Sequence, residues 1–194
     1  MFAYCGNNPI CNSDPSGFLW VEIIAVAIVI ACCLVSCSSD VNTNCYAYAL
    51  RKDTDPETGE SQKLAVDPGD FSTKNYANDI LMYSPGRAAL ELSELVEKDA
   101  KALGYYCEIV YSIENYTPKE GNWLIALAYC PEPSGLDYHF WRQEADGSWT
   151  HKLPTEDPRS TDFSGKTIYN PKNSDRGKYT QFVWYFEIGP NKGG

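Results

Sequence analysis

The chain has 194 residues, 43% of them hydrophobic and 13% aromatic, which is enough to bury one core and carry an appendage. Its net charge of −10 excludes nucleic acid as a main partner, because phosphate binding needs clustered Lys and Arg. The eight cysteines (5, 11, 32, 33, 37, 45, 107 and 130) contain no Cys-x-x-Cys and no zinc-ligand spacing, so neither a metal nor a cofactor is expected. No disulfide framework is visible, and the expectation is a domain that works in a reducing compartment.

Residues 1–17 carry turn signals, Asn7-Asn8-Pro9 and Asp14-Pro15-Ser16-Gly17, around a short strand. The run Ala3-Tyr4-Cys5-Gly6-Asn7-Asn8-Pro9 followed by Asp14-Pro15-Ser16-Gly17 resembles the end of the RHS/YD-repeat core. In that family the signature marks where a conserved shell stops and a variable C-terminal toxin begins. The resemblance implies the tip of a larger polymorphic toxin, or a stand-alone remnant of one, with Met1 an internal or artificial start. It also implies a secreted or cell-surface origin, action inside a target cell and a cognate immunity protein.

Residues 18–37 are apolar, with no charge from Ile23 to Val35. Thirteen residues fall short of the roughly 20 that a membrane span needs, although extension back to Phe18 nearly reaches it if Glu22 is tolerated. Three readings stay open: a buried pre-toxin helix, a segment that makes membrane contact, and a lipoprotein signal ending in Leu34-Val35-Ser36-Cys37. The last lacks the basic start of a signal peptide, since residues 1–22 hold no Lys or Arg.

The remainder, 38–194, reads as one domain. Asn44 is placed to cap a helix that starts at Cys45 and runs through Tyr46-Ala47-Tyr48-Ala49-Leu50. A thiol in a first helical turn meets unpaired N–H groups and the positive end of the dipole, which favour thiolate. Residues 51–83 read as a long irregular connection with a short helix near 76–82. Ser84 and Pro85 open a helix over 85–103, striped by Leu92, Leu95, Val96, Ala100 and Leu103 and stopped by Gly104. Glu94 with Lys98, and Glu97 with Lys101, are favourably ordered pairs on its outer face. Strands follow at 105–112, 123–129, 138–144, 148–153 and 180–188, and 123–129, apolar on both faces, should be central. Helices first and an antiparallel sheet after give an α+β class.

The chain's two histidines, His139 and His151, lie on one candidate hairpin. A two-residue turn at Asp146-Gly147 would put them on opposite faces. A three-residue loop with a left-handed Gly147 would set Trp141 opposite His151 and bring both imidazoles to one face. Cysteine at a helix start, histidine on a following strand and a polar residue on its neighbour are similar to the NlpC/P60 branch of the papain-like fold. That resemblance implies Cys45 as nucleophile, His139 as base and His151 as the residue that orients it. Asp162 is the alternative third member, and Asp137 could also serve. The Cys45 N–H, with Asn44 or Asn42, would supply the oxyanion donors. The implied activity is a cysteine peptidase, amidase or deamidase acting on protein or peptidoglycan. The plainer alternatives are a packing cysteine, core histidines, and a membrane-active or binding protein without catalysis.

Overall fold

In a computed structural model of the chain, the described residues are 43–72, 84–131 and 137–190. The RHS-like stretch 1–17, the apolar segment 18–37, the helix expected near 76–82 and Asn42 lie outside them. No helix among the described residues is long and apolar enough to cross a membrane.

The described domain is α+β. Helix α1 (Cys45–Ala49) and helix α2 (Pro85–Ala102) precede five strands: β1 (Tyr105–Val110), β2 (Trp123–Cys130), β3 (Asp137–Gln143), β4 (Trp149–His151) and β5 (Gln181–Pro190). They form one antiparallel sheet in the order β1-β5-β2-β3-β4. As its apolar run predicts, β2 is the central strand and is buried along its whole length.

Alternation along the strands separates two cores. On the helix side, Trp123, Ile125, Leu127 and Tyr129 of β2 and Tyr138 and Phe140 of β3 pack against α1 and the Ala88-Leu92-Leu95-Val96 stripe of α2. Each large buried side chain of that stripe contributes roughly 2 kcal/mol by its removal from water. On the other side Leu124, Ala126, Ala128, Trp141, Trp149 and Tyr185 face the long β4–β5 connection, which supplies Ile168 and Tyr179.

Helix α2 ends at Leu103 and Gly104 as expected, with Gly104 at φ +72°. Ser84 occupies the N-cap position, but its side chain makes no capping bond. The helix is tied to its surroundings by Asp99, fully buried, which accepts hydrogen bonds from Tyr46 Oη (2.9 Å), Gly69 N (2.6 Å) and Ser72 Oγ (2.6 Å). One carboxylate thus joins α1, the 67–72 turn and α2. Glu187 does the same on β5. It accepts from Tyr116 Oη, Lys119 N (2.9 Å) and Asn122 Nδ2 (2.7 Å), fixing the β1–β2 connection.

Candidate functional site

Asn44 caps α1: its Oδ1 accepts from Ala47 N at 3.0 Å, and its Nδ2 donates to Val66 O at 2.7 Å. Both ends of the amide are engaged, which makes Asn44 a structural cap. Cys45 does open the helix, but α1 is five residues long and its first turn is pressed into the core. The thiol donates to Tyr138 O at 3.9 Å. Burial raises its pKa to about 12. The N–H groups of Phe140, Tyr46 and Cys45 itself oppose that shift in part, and the nearby Asp137 carboxylate adds to it. The expected thiolate is therefore corrected to a neutral thiol: desolvation outweighs the helix-start donors.

The opposite end of α1 is held by residues that carry no sequence motif. Arg142 Nη1 donates to Tyr48 O (2.9 Å), and its guanidinium lies 3.9 Å from the centre of the Tyr48 ring. Arg142 also pairs with Glu144 at 3.0 Å and with Asp53 at 3.3 Å. Tyr48 Oη meets Thr150 Oγ1 at 2.8 Å, so α1 is clamped onto the β3–β4 hairpin.

The hairpin takes the three-residue loop. Glu144 N bonds Ser148 O, Gly147 has φ +84°, and Trp141 stands opposite His151. Both imidazoles are consequently co-facial. His139 Nε2 and His151 Nδ1 are 2.7 Å apart, one of them donating to the other. Tyr179 stacks on His139 with ring centres 4.9 Å apart, and Trp141 meets it nearly at right angles with centres 4.7 Å apart. His151 Nε2 lies 2.9 Å from Thr161 O and 3.0 Å from Arg159 Nε. Only one of those contacts can be a hydrogen bond at a time, since the carbonyl needs Nε2–H and the guanidinium needs its lone pair. Burial holds both imidazoles below their ordinary range. His151, Arg159 and Lys178 reinforce this at His139. At His151 the Thr161 carbonyl opposes it, Arg159 reinforces it, and the Glu156 and Asp162 carboxylates oppose it.

The structure joins the two histidines but leaves the nucleophile apart from them. Cys45 packs in the helix-side cluster with Tyr138 and Phe140, whereas His139 and Trp141 point from β3 to the other face. Among the described residues no hydrogen bond links Sγ to either imidazole, and the thiol's partner is the Tyr138 carbonyl. Neither aspartate orients the base. The oxygens of Asp162 accept from Ser164 N and Oγ, Lys166 N and Asp175 N. Burial works against ionisation of that carboxyl, and these donors outweigh it and hold its pKa at about 2. Asp137 accepts from Tyr179 Oη at 2.9 Å and pairs with Lys178 at 2.9 Å. Asn42 lies outside the described residues. No group of His, Cys, Asp and Glu among the described residues is arranged to hold a metal ion.

A closed, neutral thiol should react slowly. With a pKa near 12 against 9.0 for a free thiol, the thiolate fraction at pH 8 falls on the order of 10³-fold. Iodoacetamide labelling followed by peptide mass mapping should therefore find Cys45 alkylated at least ~100-fold faster in urea than in the folded chain. Equal rates in both states would contradict the packed position.

No family model matches the chain, and no solved structure matches it. It is similar to the insoluble matrix shell protein 1 of the mollusc Ruditapes philippinarum, 45% identical over 67 residues. The match covers 34% of this chain and 43% of that protein, so the chain spans less than half the length of the relative it matches. This finding overturns the expectation of a bacterial RHS-toxin thiol hydrolase acting as a secreted effector. The relative is a matrix shell protein of a mollusc, not a bacterial toxin.

Proposed function

We propose that this chain is a secreted structural protein of an insoluble extracellular matrix, and that its folded domain serves as a building block. The likeness to a shell matrix protein carries this reading. Two features of the domain agree with it. Cys45 is engaged with a backbone carbonyl in the core and the imidazoles are engaged with each other, so these residues act as packing. Cys45, Cys107 and Cys130 are free thiols, two of them buried and Cys107 partly covered, which withdraws them from oxidation outside the cell. On this reading the papain-like order of a cysteine helix ahead of an antiparallel sheet is scaffold alone. The partners are other matrix components, met through an acidic surface of net charge −10.

The test is fractionation of the producing organism with an antibody against residues 43–190. The chain is expected in extracellular material that stays insoluble in denaturant. Recovery entirely in a soluble intracellular fraction would refute the reading.

A further inference from the structure

The connection between β4 and β5, residues 152–180, runs long without a strand of its own and covers the second core. It is fastened next to the histidine pair. Arg159 and His151 exchange both backbone hydrogen bonds at 2.9 Å, and Thr161 O and Arg159 Nε meet His151 Nε2. Phe163 and Tyr179 of the same connection lie against His139. The pair is therefore the floor on which the connection rests, and it is almost wholly buried.

We propose that the His139–His151 pair is a pH-operated fastening, which holds residues 152–180 closed while it is neutral and releases them when it takes up a proton. This proposal is independent of the matrix reading.

A neutral pair shares one proton across 2.7 Å and needs nothing else. Glu156 and Asp162 lie close enough to His151 to favour its charged form, but neither carboxylate hydrogen-bonds an imidazole, and burial outweighs them. On β3, Asp137 is taken by Lys178 and Tyr179. In the connection, Asp162 is saturated by its own turn, and Glu156 is 3.2 Å from Arg159 Nη1. From α1 the Cys45 thiol is neutral and hydrogen-bonds the Tyr138 carbonyl. The group in direct contact with the pair is positive, the Arg159 Nε–H at 3.0 Å from His151 Nε2, donor against donor, and Arg159 and Lys178 both disfavour a charge on His139. Opening the connection separates Arg159 from His151 and lets water solvate the charge.

The sign follows from linkage. Burial lowers both closed-state pKa values below the ordinary 6.5, so the open form binds protons that the closed form refuses. The closed connection has its full stability above about pH 6.5 and loses it as the pH falls below that value.

The experiment uses the full chain and combines hydrogen exchange by mass spectrometry from pH 7.5 to 5.0, corrected for intrinsic exchange, with an NMR titration of the imidazoles. Because the chain has only two histidines, every imidazole signal reports on the pair. Protection of 152–180 should fall about tenfold or more relative to β2, with both imidazoles titrating below 6.5. In Arg159→Gln the pH-dependent loss should shrink, because the like charge is gone. A merely structural Arg159 would lower protection equally at both pH values. The proposal is overturned by protection that falls equally in 152–180 and β2, by imidazoles titrating at 6.5 or above, or by an unaltered pH dependence in Arg159→Gln.

Discussion

Asp99→Ala is expected to destabilise the domain by about 4 kcal/mol, the largest loss for a single polar side chain here. The carboxylate is fully buried and holds Tyr46 Oη, Gly69 N and Ser72 Oγ together. Removal leaves the first two donors without a partner inside the protein, and each such orphan costs about 1–3 kcal/mol. Ser72 is exposed and can turn to water. Alanine recovers about 0.5 kcal/mol of helix propensity within α2, which does not offset the loss. Asp99→Asn keeps an acceptor oxygen and should lose about half as much. Urea denaturation with an unchanged m-value measures both. A loss below about 1 kcal/mol for Asp99→Ala would show that the three donors find other partners.

Gly189→Ala should cost about 3 kcal/mol through a different mechanism, overpacking. A Cβ there would lie 1.8 Å from Asn122 Oδ1, 2.4 Å from its Cγ and 2.7 Å from its Cα. A flexible side chain could swing aside, but the backbone Cα cannot. The Asn122 side chain is also anchored, because its Nδ2 donates to the buried Glu187. Relief therefore requires β5 and the β1–β2 connection to part where Gly189 pairs with Tyr106. Thermal or chemical denaturation gives the loss directly, and a companion Asn122→Gly should recover part of it. A fully stable Gly189→Ala would mean that the connection is loosely held.

Where the sequence was legible, periodicity made it so. The apolar stripe of α2, its stop at Gly104 and the two-faced run of β2 all correspond to what forms. The hairpin offered two loops, and the one adopted puts Gly147 in the left-handed region that glycine takes at little cost. His139 and His151 thus meet as the co-facial register requires. The environment of Cys45 was not legible. A helix start suggests an activated thiol, but only packing decides whether it is solvated, and here the desolvation of a short buried helix wins. Arg159 and Thr161, which complete the surroundings of His151, sit in an irregular connection. Arg142, which holds the end of α1, is 94 residues beyond Tyr48. No local pattern announces such contacts.

If the chain is a matrix building block, as proposed, Cys45 serves only as packing. The most direct test introduces tagged wild type and Cys45→Ala into the producing organism and measures the fraction of each retained in denaturant-insoluble extracellular material. Both are expected to be retained to the same extent, with folding of the variant verified by circular dichroism. Loss of retention in a folded Cys45→Ala, or wild type found only in soluble intracellular fractions, would contradict the proposal.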